Sequence, residues 1–550
     1  MDSAAQDSAS LAPDTLQKLT QIGIALSAEK DHARLMQLIL SSACELTGAD
    51  AGTLYSRSED DRLHFEILMN ASLDIHHGGT STTSIEMPSV PLFNDDGSPN
   101  RHMVAAWAAV SGETINIPDA YDESVYDLSG TREFDRRSGY RSRSFLTVPM
   151  RNHQDEVIGV LQLINKIEGE EVRAFDTEDQ ELVQSLASLA AISLTNKRLI
   201  EDQARLFESF IELIAGAIDD KSPYTGGHCR RVPELTMMLA DAAAATREGP
   251  LGEFSMSEED RYELRIAGWL HDCGKVTTPE YVMDKSVKLE TIHDRMAEVR
   301  TRFEVLRRDA YIQLLERRVS GELDEQELAQ AYRTQCERLD DDCNFLAHCN
   351  LGGESMSEED KTRVGHIAAY SWRLADGEPA PFLSENEVEN LTIERGTLTA
   401  KEREIINHHM VATISMLESL PYPKHLARVP EFAGGHHEHM DGGGYPRGLT
   451  GEQMSVQARA MAIADVFEAL TAGDRPYKKA MKLSMALSIL GRMSEDGKVD
   501  PDLFEVFIRD GVYLQYAHTF LDPAQLDEVD LNRLPGIRRG EATRSEIASE

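Results

Sequence analysis

No stretch of this chain approaches the roughly 20 consecutive apolar residues that a membrane-spanning helix needs, so nothing in it reads as membrane-inserted. The start, Met1 to Asp14, is small and polar and lacks the basic-then-apolar order of a secretory signal, which makes the cytoplasm the expected location. Cysteine is scarce. The six in 550 residues (Cys44, Cys229, Cys273, Cys336, Cys343 and Cys349) are too scattered for a disulfide framework and lack a CxxC zinc knuckle. Positive charge is also short, with 56 Lys and Arg against 95 Asp and Glu. That balance argues against a nucleic-acid polymer as partner, because such proteins present a basic face. What remains, 41% hydrophobic and 27% charged residues, is ordinary for a globular chain long enough for several domains.

What the chain does have is histidine beside acid and glycine. His436-His437-Glu438-His439-Met440-Asp441-Gly442-Gly443-Gly444-Tyr445-Pro446 sets paired imidazoles next to a glycine-broken turn, a pattern suited to a metal cluster that grips phosphate. Upstream, the apolar run Ile266-Ala267-Gly268-Trp269-Leu270 leads into His271-Asp272-Cys273-Gly274-Lys275. Downstream, Ala462-Ile463-Ala464-Asp465-Val466-Phe467 reads as an apolar helix interrupted by one acid. Such a carboxylate is costly to bury unless paired or bound to a metal; a satisfied buried acid or a helix cap is the plainer reading of Asp465.

These strings resemble the HD-GYP family, a branch of the HD-domain phosphohydrolases, whose HDxGK and HHExxDGxGYP hallmarks stand complete at 271–275 and 436–446. The resemblance implies an all-helical domain holding divalent iron or manganese ions and hydrolysing cyclic di-GMP to pGpG and/or GMP. It makes His228, His271, Asp272, His409, His436, His437 and Asp465 the metal ligands, with Asp272 as the bridge and His409 preferred to His408. It gives His271, Asp272 and Lys275 the catalytic roles. Lys275, Arg475, Lys478 and Tyr445 become substrate contacts, with Arg447 a weaker candidate, and the negative mean charge requires such a local positive lining. An additional residue around Gly473 shifts the register of Arg475 and Lys478 against the family pattern. Trinuclear members carry a glutamate four residues before the leading histidine, where Tyr224 stands here, so two ions and pGpG as main product are expected. His439 falls at a variable position and is set aside. Two alternatives stay open: hydrolysis of another nucleotide (a mixed cyclic dinucleotide or an alarmone), and a slow-turnover scaffold that binds a cyclic dinucleotide and signals through protein partners.

The N-terminal part has a different texture. Leu16 to Leu46 shows helical spacing, Ala51–Ser56 and Leu63–Met69 read as strands, and Ser144–Arg151 with Val157–Lys166 forms a hairpin around a polar turn. Ile115–Tyr121, Phe134–Ser142 and this hairpin resemble GAF domains of the cyclic-nucleotide phosphodiesterase type. Their NKxFxxxDE signature is met by Asn165, Lys166, Phe175 and Asp179, with Gln180 in place of the last glutamate. A bound cyclic nucleotide is one implication; an unliganded dimerisation or other sensor role is the other. Asp179 to Asp219 reads as one long helix, and Leu186, Ile200, Phe207 and Ile214 recur at multiples of seven, a coiled-coil seam interrupted by Ser193 and Asn196.

The expected fold is therefore multidomain, an α+β GAF sensor domain and an all-α HD-GYP domain joined by a long helix. The boundaries expected are a flexible N-terminus (1–16), the GAF domain (17–197), a linker helix (198–222), the HD-GYP domain (223–530) and a disordered tail (531–550). Between Asp272 and His409 roughly a hundred residues, about 290–393, are inserted where a short helical connection would suffice. A homodimer through the GAF domain and the linker helix is the expected assembly. The echo of Leu251–Asp260 in Leu351–Asp360 reads as a repeated helix start in which serine caps free amides.

Overall fold

The structure, a computed structural model, describes residues 13–123, 126, 128–221, 227–353, 355–374, 377–473 and 480–538; Tyr224, Arg475 and Lys478 lie outside them. The chain divides between Leu206 and Phe207 into two compact units.

The first unit is built on an antiparallel sheet of β1 (Ala49–Arg57), β2 (Arg62–Asn70), β3 (Ile75–Gly78), β4 (Val90–Pro91), β5 (Ile115–Ile117), β6 (Phe145–Arg151), β7 (Val157–Glu168) and β8 (Glu171–Arg173). Its order is β3-β2-β1-β7-β6-β5, with β4 beside β2 and β8 beside β7. Successive side chains of a strand point to opposite faces, and Leu54 and Tyr55 enter separate cores accordingly. Leu54 joins Leu35, Ile39, Val183 and Leu186 from the flanking helices, whereas Tyr55 joins Ala106 and Ala109 of the helix Val104–Ser111. The helical spacing of 16–46 resolves into two helices, Pro13–Ala28 and His32–Thr47, because Asp31 turns extended and caps the second by accepting from the Arg34 N–H. Residues 13–16, expected to be flexible, belong to the first of these.

The GAF signature acts as a brace. Asn165 sits at φ 59°, a left-handed conformation that asparagine tolerates. Its Oδ1 accepts from the Arg143 and Ser144 N–H groups (2.7 and 3.2 Å), and its Nδ2 donates to Tyr140 Oη and Arg141 O (both 2.9 Å). Lys166 pairs with Asp176 (2.9 Å) and Asp179 (2.6 Å) at the start of the helix Thr177–Lys221. The signature thus ties β7 to its neighbouring loops.

In the second unit, the helices His228–Ala245, Glu258–Leu270, Ala400–Glu418, Val429–Gly434 and Val456–Thr471 surround a core that includes Leu235, Leu264, Phe432, Ile463 and Phe467. Ser257 and Ser357 each form a capping box with the acid three residues on. The echoed segments are therefore capping devices. Between the two halves of the helical core, Met296–Val319 and Glu325–Asn350 form a hairpin that shares its own core, including Phe303, Leu346, Val364 and Phe382, with Glu358–Ala368. Leu289 belongs to that core too, so the extra packing begins slightly before 290. A ribbon of Ser371–Arg373 and Pro379–Pro381 had no sequence signal, since three residues carry no readable alternation. The tail expected to be disordered from 531 is ordered further, because Leu531–Arg533 makes a turn and Leu534 is buried among the helices; residues 539–550 lie outside the described set.

The long helix spans Thr177–Lys221, and the expected seam is only partly on its surface. Leu186 is buried in the core of the first unit and Phe207 packs on the helical core of the second. The large apolar residues left exposed are instead Ile192, Leu199, Leu206 and Leu213, one per heptad, with Ile200, Phe210 and Ile214 beside them.

Phe467 is fully buried and meets Phe507 and Tyr516 edge to face, with ring centroids 5.0 and 5.9 Å away. Phe467→Ala should lower the unfolding free energy by about 3–5 kcal/mol through the cavity it leaves. Urea titration followed by circular dichroism measures this, and a loss under about 1 kcal/mol would contradict the packing.

Candidate metal centre

Five helices deliver seven side chains to one buried point. His228 opens the helix His228–Ala245, His271 and Asp272 end the helix Glu258–Leu270, His409 lies within Ala400–Glu418, His436 and His437 follow Val429–Gly434, and Asp465 lies within Val456–Thr471. Their ligand atoms form two groups, His228-His271-Asp272-Asp465 and Asp272-His409-His436-His437, each with all atoms within 4.8 Å of one another. Asp272 belongs to both. The structure thus brings together all seven residues read from the sequence as ligands. It also separates the ambiguous pair, burying His409 and exposing His408, and it leaves His439 outside the cluster, 3.9 Å from Asp441.

Within the first group, His228 Nε2 lies 3.3 Å from both Asp272 Oδ2 and Asp465 Oδ1, and His271 Nε2 lies 3.2 Å from Asp272 Oδ2. Within the second, His409 Nε2 and His436 Nε2 stand 3.4 and 3.9 Å from Asp272 Oδ1. The other ring nitrogens show which lone pairs point inward. Nδ1 of His271, His409 and His436 faces the carbonyl three residues earlier (Gly268, Ile406 and Ala433), which only an N–H can bond. His228 Nδ1 faces Glu468 in the same way. Such outer partners fix the ring and leave Nε2 as a donor of electrons. Nε2 of His228 and His271 then point at each other 3.3 Å apart, and Nε2 of His409, Nε2 of His436 and Oδ1 of Asp272 are buried without a hydrogen-bond partner. Converging, unsatisfied lone pairs of imidazole and carboxylate fit divalent first-row metals such as iron, manganese or zinc.

The ionisation behaviour agrees. Burial drives His437 down to about 4 and His436 well below the usual imidazole range, with neighbouring imidazoles adding to the effect; both are neutral. Burial also acts on His271, yet the adjoining Asp272 carboxylate, with Asp465, outweighs it and raises the imidazole to about 9. Asp272 and Asp465 are held well below the carboxylate range despite burial, Asp272 chiefly by Lys275 and His271, Asp465 by His228 and His271. Without metal, protons occupy the His228–His271 side.

The packing of the HD string explains its glycine. A Cβ on Gly274 would stand 2.0 Å from His409 O and 2.5 Å from Thr413 N, and the Gly274 N–H donates to Thr413 Oγ1 (2.9 Å). Cys273 beside it is buried, and burial raises its thiol to about 11, so it packs as an unreactive thiol. Lys275 pairs with Asp272 and neutralises part of its charge. Tyr445 stacks on His437, with centroids 4.9 Å apart and planes at 23°. Glu438, also buried, accepts from the Arg447 and Leu449 N–H groups and shapes the glycine turn. Sequence reasoning missed Glu468, whose carboxylate bonds both His228 and Arg231; its signal was a second acid one turn after Asp465 on an apolar helix.

Family comparisons fall on the same division of the chain. A GAF-domain model matches residues 31–194, and two HD-domain models match 225–361 and 386–503. The chain therefore carries a GAF domain followed by HD-domain segments, and its strings at 271–275 and 436–446 resemble those of the HD-GYP type. Among curated relatives, it is 46% identical over 81 residues to a 3'3'-cGAMP-specific phosphodiesterase of Vibrio cholerae, covering 15% of this chain and 19% of that one. It is 38% identical over 136 residues to a cyclic di-GMP phosphodiesterase of Pseudomonas aeruginosa (24% and 31%). It is 29% identical over 174 residues to a dual 3',5'-cyclic-AMP and -GMP phosphodiesterase of Takifugu rubripes (32% and 18%). The chain spans under a third of the length of each of these relatives.

Because His271 is raised to about 9, it carries a proton near neutrality that a metal must displace. Apparent Mn(II) affinity of the GAF–HD protein should therefore climb as pH rises towards about 9, by about tenfold per pH unit for each proton displaced. Calorimetry in buffers of different ionisation enthalpy should show proton release at neutral pH. Uptake with no proton release would contradict the protonated cluster.

Proposed function

We propose that the GAF–HD protein is a metal-dependent phosphodiesterase that hydrolyses cyclic di-GMP, with pGpG as its main product. The observation that carries this reading is the shared Asp272 between two groups of converging ligand atoms. Divalent ions held by these groups would supply Lewis acidity to a phosphodiester and to its attacking water. The chain's own groups do the rest. Asp272 spans the two groups, His228, His271 and Asp465 complete one, and His409, His436 and His437 complete the other. Lys275, paired with Asp272, is proposed to meet a phosphate oxygen, and Tyr445, stacked on His437, is proposed to supply an aromatic wall and a hydroxyl. Burial raises that hydroxyl above the ordinary tyrosine range, so Tyr445 acts as a hydrogen-bond donor. Arg475 and Lys478 are proposed from sequence to complete the phosphate lining, and Tyr224, in place of a carboxylate, favours two ions over three.

A mixed cyclic dinucleotide is the second substrate reading, favoured by the similarity to the 3'3'-cGAMP-specific enzyme. The GAF domain is proposed to regulate hydrolysis through the long helix, with a cyclic nucleotide as candidate ligand. The exposed heptad of Ile192, Leu199, Leu206 and Leu213 is proposed to pair with that of a second copy.

The test is anaerobic purification with iron or manganese and chromatography of products from cyclic di-GMP and 3'3'-cGAMP, with and without cyclic AMP or cyclic GMP. Metal-dependent formation of pGpG, abolished by a chelator and lowered at least about a thousandfold by Asp272→Ala, is expected. No turnover of either dinucleotide with either metal would reject the reading. Leu199→Asp with Leu206→Asp should halve the mass in light scattering; an unchanged mass would dismiss the heptad as the dimer seam.

A further inference from the structure

The helix Thr177–Lys221 ends against the chain segments that carry His228, His271 and Asp272, and two residues of its last turn hold both. Asp219 is buried to 7% exposure. It accepts from the Gly227 N–H at Oδ2 (3.0 Å) and from the Cys229 N–H at Oδ1 (3.2 Å), the amides on either side of His228. Two residues later, Lys221 Nζ donates to Lys275 O (3.1 Å), Val276 O and Thr278 O (2.7 Å). These carbonyls line the turn Cys273–Thr277 and its end, directly after His271-Asp272. An ammonium has three N–H donors, and all three are committed to this turn. Charge-assisted bonds of this kind are stronger than neutral ones, so the helix end is a two-pronged clamp.

We infer that Asp219 and Lys221 are positioning residues for one half of the metal centre, the His228-His271-Asp272-Asp465 group. The carboxylate fixes the main chain at His228, and the ammonium fixes the turn that follows Asp272. The second group does not depend on this clamp in the same way. His409 and His436 are oriented by the Ile406 and Ala433 carbonyls of their own segments. A rotation or slide of the last helical turn therefore displaces the amides around His228 and the turn after Asp272 together, and leaves the anchors of His409 and His436 in place. The helix is continuous from Thr177 in the first unit, which gives any change imposed on it a route to two metal ligands. This inference rests on the metal-centre reading given under the proposed function, and it adds an asymmetry that the reading lacks: the two ion positions respond differently to the helix.

The test is titration of the purified full-length chain with Mn(II), followed by calorimetry and by electron paramagnetic resonance, for wild type, Lys221→Met, Lys221→Arg and Asp219→Asn. Wild type should bind two ions. Lys221→Met and Asp219→Asn should weaken one of them by about 10–100-fold, as loss of an outer-shell contact does, and the other, which shares only Asp272 with the clamped segments, far less. Lys221→Arg, which keeps cationic donors, should restore most of the loss. The metal-free proteins report a merely structural role, which would lower their melting temperature and weaken both sites alike. Equal weakening of both sites, or unchanged binding in Lys221→Met and Asp219→Asn, would overturn the inference while leaving the metal centre standing. Should Lys221→Met fail to fold, Asp219→Asn and Lys221→Arg decide by the same comparison. A wild-type chain that takes up no Mn(II) would fail the metal-centre reading itself, and the inference with it.

Discussion

A single buried carboxylate organises the second unit. Asp272, exposed to only 1%, keeps its charge in a place where an isolated anion is strongly disfavoured. The surroundings are arranged to satisfy that charge from two sides. Oδ2 faces His228, His271 and Lys275, while Oδ1 faces His409 and His436 and has no hydrogen-bond partner. Each imidazole is turned inward by a carbonyl or a carboxylate on its far nitrogen, so the lone pairs converge by construction. The electrostatic demand of one acid and the two groups of converging ligand atoms share one geometry.

That geometry rests on close backbone packing. Gly274 lets the HD turn lie against the main chain of His409 and Thr413, where any side chain would collide. The helix carrying Asp465 also carries Glu468, which orients His228 across the core and is itself held by Arg231. The hairpin Met296–Val319 and Glu325–Asn350 has a separate core, so the long interruption between Asp272 and His409 adds a subdomain without loosening the ligand helices. Lys285, wholly buried, bonds Asn390 and Glu402, tying the residues around that subdomain to the first turn of the His409 helix.

Much of this was legible in the sequence because the chemistry demands fixed residue types at fixed spacing. The strings at 271–275 and 436–446 marked His271, Asp272, His436 and His437, four of the seven clustered residues, and the preference for His409 over His408 agrees with burial. The apolar, β-rich runs of β6 and β7 around a polar turn were equally readable. What escaped depends on tertiary proximity. Thr413, Asp219 and Lys221 gain their roles from partners that the fold brings close, and nothing in their local sequence marks them, while Glu468 carried only the signal of a second acid one turn after Asp465. The heptad read on the long helix holds in part for a related reason: Leu186 and Phe207 are taken by the cores of their own units, while Ile200 and Ile214 stay exposed beside Ile192, Leu199, Leu206 and Leu213. The ribbon at 371–381 and the ordered Leu531–Leu534 segment were too short for a periodic signal.

The claim on which the rest depends is that Asp272 stands between two ions. Anomalous scattering from crystals of the manganese-loaded protein measures it directly. Two peaks should flank the Asp272 carboxylate, one among His228, His271 and Asp465 and the other among His409, His436 and His437. A single peak, or none within reach of Asp272, would contradict it.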